Sequence, residues 1–285
     1  MKIFCIILYL TIFSFVLAES PATFTSIPCD VPGNIGLVYE VQVGAEKIRV
    51  PFALFLPKKY DIDKKRQWPM IFYLIGVGNQ GTALVGPTGV FEHGPNGETS
   101  RTPLLLENQP FILCVPQTNR GWDPTMIKAV TSLVKILPDS YRIDRDRISI
   151  TGLSMGGTAA WPALLEAPEI YAAAVPICGR SWKEPDVVAA KLQNCPVWNI
   201  VGGADAPDFV NGAKTMHTAL VNKGVDTQLM IVPNIGHWVW MLYYKNPEFY
   251  HWLIRQVRPT TEMQIQAVGF RKLQNKENAL VAVIN

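Results

Sequence analysis

Residues 148–157 read Ile148-Ser-Ile-Thr-Gly-Leu-Ser-Met-Gly-Gly157, and Gly152, Ser154 and Gly156 within them form a G-x-S-x-G pattern. A serine at the apex of a hairpin-tight turn between a strand and a helix needs neighbours without side chains, because the backbone must close around it. The context supplies both flanks. Arg147 to Thr151 alternates and is β-branched, as a strand should be, and Thr158 to Glu166 is mostly helix-forming. Strand, turn and helix fall in that order, and Ser154 is the candidate nucleophile.

The rest of the chain supplies the sheet that such a turn requires. Gly36–Val43 and Lys47–Leu56, joined across Gly44, suit a β-hairpin, in which Pro51 calls for an edge or bulge position. Pro69–Ile75 is continuously apolar, the mark of a central strand covered on both faces. Further strands are expected at Phe111–Val115, Tyr171–Cys178, Val197–Val201 and Thr227–Val232. They alternate with helices near Pro124–Leu137, Asp186–Leu192, Asn211–Lys223 and Phe249–Val257. Tyr141–Arg147 reads as a link, and Pro162 predicts a kink in the helix after Ser154.

This alternation implies a single α/β domain over residues 35–258 with a mainly parallel sheet and an antiparallel N-terminal hairpin. Residues 19–34 read as an irregular lead-in and 259–285 as a C-terminal extension. Thr82–Pro110, rich in glycine and proline, forms a long excursion of the kind that often shapes a site, with a short helix near Thr102. Only 18 residues, Gly179 to Pro196, separate two later strands, too few for an inserted lid domain.

Residues 1–18 carry one lysine, an apolar core and small residues at Val16 and Ala18, the layout of a secretory signal cleaved after Ala18. The expected location is therefore secreted or periplasmic, with no stable membrane anchor after cleavage; the alternative is an uncleaved anchor, for which the run is just long enough. Cleavage removes only Lys2 among charged groups, so the formal charge falls from +3 to +2. So weak an imbalance, without a basic run, argues against nucleic acid as a partner. Cys29, Cys114, Cys178 and Cys195 remain, as two disulfides or as buried thiols. Cys178 and Cys195, at opposite ends of adjacent parallel strands, are ill placed to pair.

Ser154 needs a base to take its proton and an acid to orient that base. Of the four histidines, His237 alone lies in a short loop directly after the last expected strand. The turn after Val197–Val201 offers Asp205 and, as the alternative, Asp208. The spacings, 205 − 154 = 51 and 237 − 205 = 32, each leave room for a strand-helix-strand crossover, so all three groups fall at successive strand ends. The order Ser, Asp, His is the one expected of a nucleophile elbow. A tetrahedral oxyanion would meet the backbone N–H of Met155, and a second N–H near Val77 in the glycine-rich turn Gly76–Gly81. This chemistry calls for no metal or organic cofactor.

With these residues in place the chain resembles the α/β-hydrolase superfamily, and more narrowly the carboxylesterases related to polyhydroxybutyrate depolymerases and feruloyl esterases. The resemblance spans about Leu37 to Arg258. It rests on Pro116-Gln117 with Trp122, Tyr141–Ile148, Gly152–Gly157, Ala172–Gly179, Pro196–Trp198 and Gly236-His237. It implies Ser154, Asp205 and His237 as catalytic residues, Met155 and Val77 as oxyanion donors, and a small or polymeric ester as substrate. Three departures stand out: Ile75-Gly76 where the family usually has His-Gly, Pro162 inside the helix, and Trp238-Val-Trp240 after the histidine. Trp122, in a polar loop, and Trp238 are the expected aromatic wall for a bulky substrate group, whereas Trp240 is expected in the core. A serine peptidase of the same fold, and a binding protein on a retired hydrolase fold, are the rival readings.

Overall fold

The computed structural model describes residues 24–27, 34–77, 109–181 and 184–259. The signal-like segment, Cys29, His93, the turn from Gly78 onward, the helix expected near Thr102 and the C-terminal extension lie outside the described residues.

Among the described residues nine strands form one sheet: β1 (Thr25–Ile27), β2 (Asn34–Val43), β3 (Glu46–Phe55), β4 (Trp68–Leu74), β5 (Ile112–Pro116), β6 (Ile143–Leu153), β7 (Ala173–Ile177), β8 (Val197–Gly202) and β9 (Thr227–Val232). Their order across the sheet is β1-β2-β3-β5-β4-β6-β7-β8-β9. β1 to β3 run antiparallel and join β5 antiparallel, and from β5 to β9 every pairing is parallel. The architecture is thus the mainly parallel α/β sheet with an antiparallel N-terminal hairpin that the sequence predicts.

Every residue of β4, β5 and β7 is buried, which requires helices on both faces. The helices are α1 (Pro124–Ser140), α2 (Met155–Glu166), α3 (Pro185–Lys191), α4 (Pro207–Asn222), the short α5 (Trp240–Tyr243) and α6 (Pro247–Arg255). α1 begins as its sequence dictates, with Pro124 in the first turn and the Asp123 carboxylate accepting the Met126 N–H at 2.8 Å. α6 buries Phe249, Tyr250, Trp252 and Leu253. Its end is tied to β6 by the Ser149 hydroxyl donating to Leu253 O at 3.0 Å and the Arg147 guanidinium to Ile254 O at 2.5 Å.

Three expectations are corrected. Pro51 lies in β3, an interior strand, rather than at an edge or bulge. Its carbonyl accepts the Gln117 N–H at 2.7 Å, just beyond Phe52–Pro116, the last pair of the β3–β5 ladder. The proline nitrogen therefore faces the side on which that ladder has ended and no donor is needed. Tyr141–Arg147 is largely strand, not linker: β6 starts at Ile143, and its pairing with β4 shifts register between Ile143 and Ile148 to accommodate the polar run. α4 starts at Pro207, with proline in its first turn, four residues earlier than the apolar pattern suggests. Pro162 sits inside α2 without ending it.

β4, β6 and α2 cross at close quarters. A methyl group on Gly152 would lie 2.5 Å from Gly156 O and 2.8 Å from Leu74 O, and one on Gly156 would collide with the Leu74 carbonyl. These obstacles are backbone atoms that cannot rotate away. Gly156→Ala is therefore expected to destabilise the protein by about 1–3 kcal/mol or more, read as a lowered denaturation midpoint with an unchanged m-value.

Candidate active site

β4, β6, β7, β8 and β9 run parallel, so their carboxyl ends share one edge of the sheet. Ser154 follows β6 directly and caps α2, with φ 53° and ψ −114°. A non-glycine residue at this positive φ is strained, and the surroundings hold it there. The Ser154 N–H donates to Ile177 O at 2.8 Å, and its carbonyl accepts the Thr158 N–H at 2.8 Å, starting the helix.

Asp205 lies just past β8 and His237 just past β9. The two loops are knitted together by Gly203 N–H to Val232 O at 2.7 Å and Ala204 N–H to Ile235 O at 2.8 Å. The His237 Nδ1 to Asp205 Oδ2 distance is 2.7 Å, and the Nε2 to Ser154 Oγ distance is 2.8 Å. A carboxylate only accepts, so Nδ1 carries the proton and Nε2 offers its lone pair to the serine hydroxyl. The remaining Asp205 oxygen accepts the Ala206 N–H at 2.7 Å. The Asp205 side chain is only 4% exposed, while the imidazole, at 30%, opens toward solvent.

Packing fixes the ring from two sides. Phe209, in the first turn of α4, lies with its ring centroid 4.7 Å from that of His237, and Trp240 meets the imidazole edge-on at 5.2 Å. Trp240 is in the core, as expected. Phe209 was not legible as a site residue, although Pro207 as a first-turn proline could have carried α4 back to it. The alternative acid, Asp208, is turned away: its carboxylate pairs with Arg180 at 3.1 Å on the surface. His217 sits in α4 near Thr227, and His251 is exposed beside Glu248.

Cys178 follows β7 and belongs to the same cluster. Its Sγ, a carboxylate oxygen of Asp205 and a ring nitrogen of His237 lie within 4.8 Å of one another. These atoms are of the kinds that bind a thiophilic cation, but the imidazole and carboxylate already engage each other. The thiol donates to the His237 carbonyl at 3.3 Å. Burial, and to a smaller degree the nearby Asp205 charge, push its pKa well above the usual thiol range. Cys114 and Cys195 are likewise free and buried, so neither joins Cys178 in a disulfide.

The expected oxyanion donors stand on the same edge. Met155 opens α2, and Val77 follows β4, whose Leu74 pairs with Gly152 of β6. Val77 is 68% exposed. Trp238 is 58% exposed, and its indole lies 5.1 Å from Trp240, which leaves an aromatic face beside the histidine.

Trp122 requires a correction. It is 2% exposed, and so cannot act as a wall against a substrate. Its indole N–H instead donates to Ile75 O at 2.9 Å, holding the turn that carries Val77. The Pro-Gln and Thr-Asn-Arg residues around it are polar, but the loop folds inward, with Thr118 Oγ1 donating to Gly121 O at 2.9 Å. Trp122→Phe keeps an aromatic side chain, smaller than the indole, and strips a buried carbonyl of its donor. The expected loss is about 1–3 kcal/mol, measured by chemical denaturation.

With this geometry established, likeness to known proteins narrows the family. Residues 118–239 match the family model of the Dienelactone hydrolase family. No curated protein matches the chain. Among solved structures, a thermostable esterase is 26% identical with a TM-score of 0.62. The match covers 78% of this chain and 63% of that one, so this chain spans less than two thirds of the esterase's length. The feruloyl esterase module from Clostridium thermocellum, 14% identical, covers 85% of this chain and 97% of its own at a TM-score of 0.58. Dipeptidyl peptidase 4 of Porphyromonas gingivalis, 14% identical, covers 76% of this chain and 35% of its own at a TM-score of 0.55. The last two likenesses are of fold alone. Strand order, the serine elbow after β6 and the matched segment agree on one point: the chain has the α/β-hydrolase fold.

Proposed function

We propose that this chain is a serine hydrolase of carboxylic esters, acting through an acyl-enzyme on Ser154. The observation that carries the reading is the continuous hydrogen-bonded line from Ser154 Oγ through His237 to Asp205, at 2.8 and 2.7 Å. Its likeness at 26% identity to a thermostable esterase supports the ester as substrate.

In the first half-reaction His237 Nε2 takes the hydroxyl proton as Ser154 Oγ bonds to the carbonyl carbon. Asp205 stabilises the imidazolium that results. The carbonyl oxygen becomes an oxyanion, which the N–H of Met155 meets at the positive end of the α2 dipole, together with the N–H of Val77. Collapse expels the alcohol, which leaves with the proton from His237. Water then attacks the acyl-serine by the same route and releases the acid. Trp238 offers the acyl or alcohol group an apolar face.

The reading is tested with a panel of p-nitrophenyl esters set against peptide anilides. Esters are expected to turn over and anilides not. Ser154→Ala should abolish turnover, and Asp205→Asn should lower kcat about 10⁴-fold by favouring the wrong imidazole tautomer. Anilide hydrolysis dependent on Ser154 would favour a peptidase. A folded protein that neither turns over any ester nor takes up a fluorophosphonate on Ser154 would favour a binding role.

A further inference from the structure

The reaction above leaves unused a buried thiol that lies beside the site. Cys178 is 1% exposed, at the carboxyl end of β7, with its sulfur within 4.8 Å of an imidazole nitrogen and an Asp205 carboxylate oxygen. We propose that Cys178 is a positioning residue, whose S–H bond to the His237 carbonyl holds the histidine loop at the height where Nε2 reaches Ser154. The proposal rests on the hydrolase reading for its kinetic consequence, though not for its geometry.

The backbone of Cys178 is itself unusual. Its φ is 49°, in the left-handed region where a non-glycine residue is strained, and its N–H is fixed to Ile200 O at 2.8 Å. Glycine would be the easier residue here, so the side chain is kept against a conformational cost. What the side chain reaches is the histidine loop. His237 opens a three-residue 3-10 turn with no side-chain cap, and Trp238 within it departs from helical geometry at φ −80°, ψ 18°. Bonds from Gly203 and Ala204, in the turn after β8, reach Val232 and Ile235 ahead of the histidine, and the Cys178 bond falls on His237 itself. Burial keeps the sulfur protonated, and so able to donate. An aspartate–imidazole pair left free to ride up by 1 Å would cost on the order of 10²-fold in rate.

Three full-length variants separate the thiol's role from the strain: Cys178→Ala keeps the strain and loses the donor, Cys178→Gly loses both, and Cys178→Ser keeps a donor. On p-nitrophenyl acetate, Ala and Gly are expected to lower kcat about 10-fold or more with little change in KM, and Ser to recover most of it. The proton NMR resonance of the His237–Asp205 hydrogen bond, identified by its loss in His237→Gln, is read in parallel. It should broaden or shift in Ala and Gly and persist in Ser. Wild-type kcat in Ala and Gly, with only a lower melting temperature, would overturn the proposal, as would an unmoved resonance. If the wild type hydrolyses no ester but the resonance responds as expected, the positioning role stands and the hydrolase reading fails.

Discussion

The closeness with which the elbow's backbone approaches its neighbours sets everything else in the site. Ser154 is lifted into a strained, positive φ because the chain turns from β6 into α2 in a single residue. That turn closes only where Gly152 and Gly156 leave room for the carbonyl of Leu74. The hydrogen bond from Ser154 N–H to Ile177 O then locks the turn to β7. The serine hydroxyl thereby sits at a fixed height above the sheet, and the two partner loops need only arrive at the same height.

They do so by different means. Asp205 is carried on a short turn between β8 and α4, and one of its oxygens is held by the next residue's N–H. His237 is held by packing, between Phe209 and Trp240, and by hydrogen bonds from its loop to the turn after β8 and to Cys178. The carboxylate is therefore buried and oriented, while the imidazole keeps an open face. This division suits the proton-shuttling role proposed for the imidazole.

Much of this was legible in the sequence because the signals were local. The elbow's glycines, the apolar run of β4 and the positions of Asp205 and His237 after strands each follow from a few neighbouring residues. The same locality explains the failures. Trp122 sits among polar residues, yet its burial depends on a hydrogen bond to Ile75, 47 positions away. Pro51 is tolerated in an interior strand because a partner strand stops one residue short, which the sequence of β3 alone does not contain. The polar run before Ile148 reads as a link because its charges are satisfied by distant groups, Asp146 by Arg258 at 2.6 Å and Arg147 by Ile254 O at 2.5 Å. Phe209 and Cys178 reach His237 across the sheet edge, contacts that the residues neighbouring them in sequence do not encode.

The central claim is that Ser154 forms the covalent intermediate, although the Cys178 thiol lies within 4.8 Å of an imidazole nitrogen of His237. The most direct measurement is rapid acid quench of the protein during turnover of a p-nitrophenyl ester, followed by peptide mass spectrometry. The account predicts an acyl increment on the peptide containing Ser154, at Ser154, and none in Ser154→Ala. Turnover with the increment on Cys178, or with no increment under conditions where a burst of p-nitrophenol is seen, would contradict it.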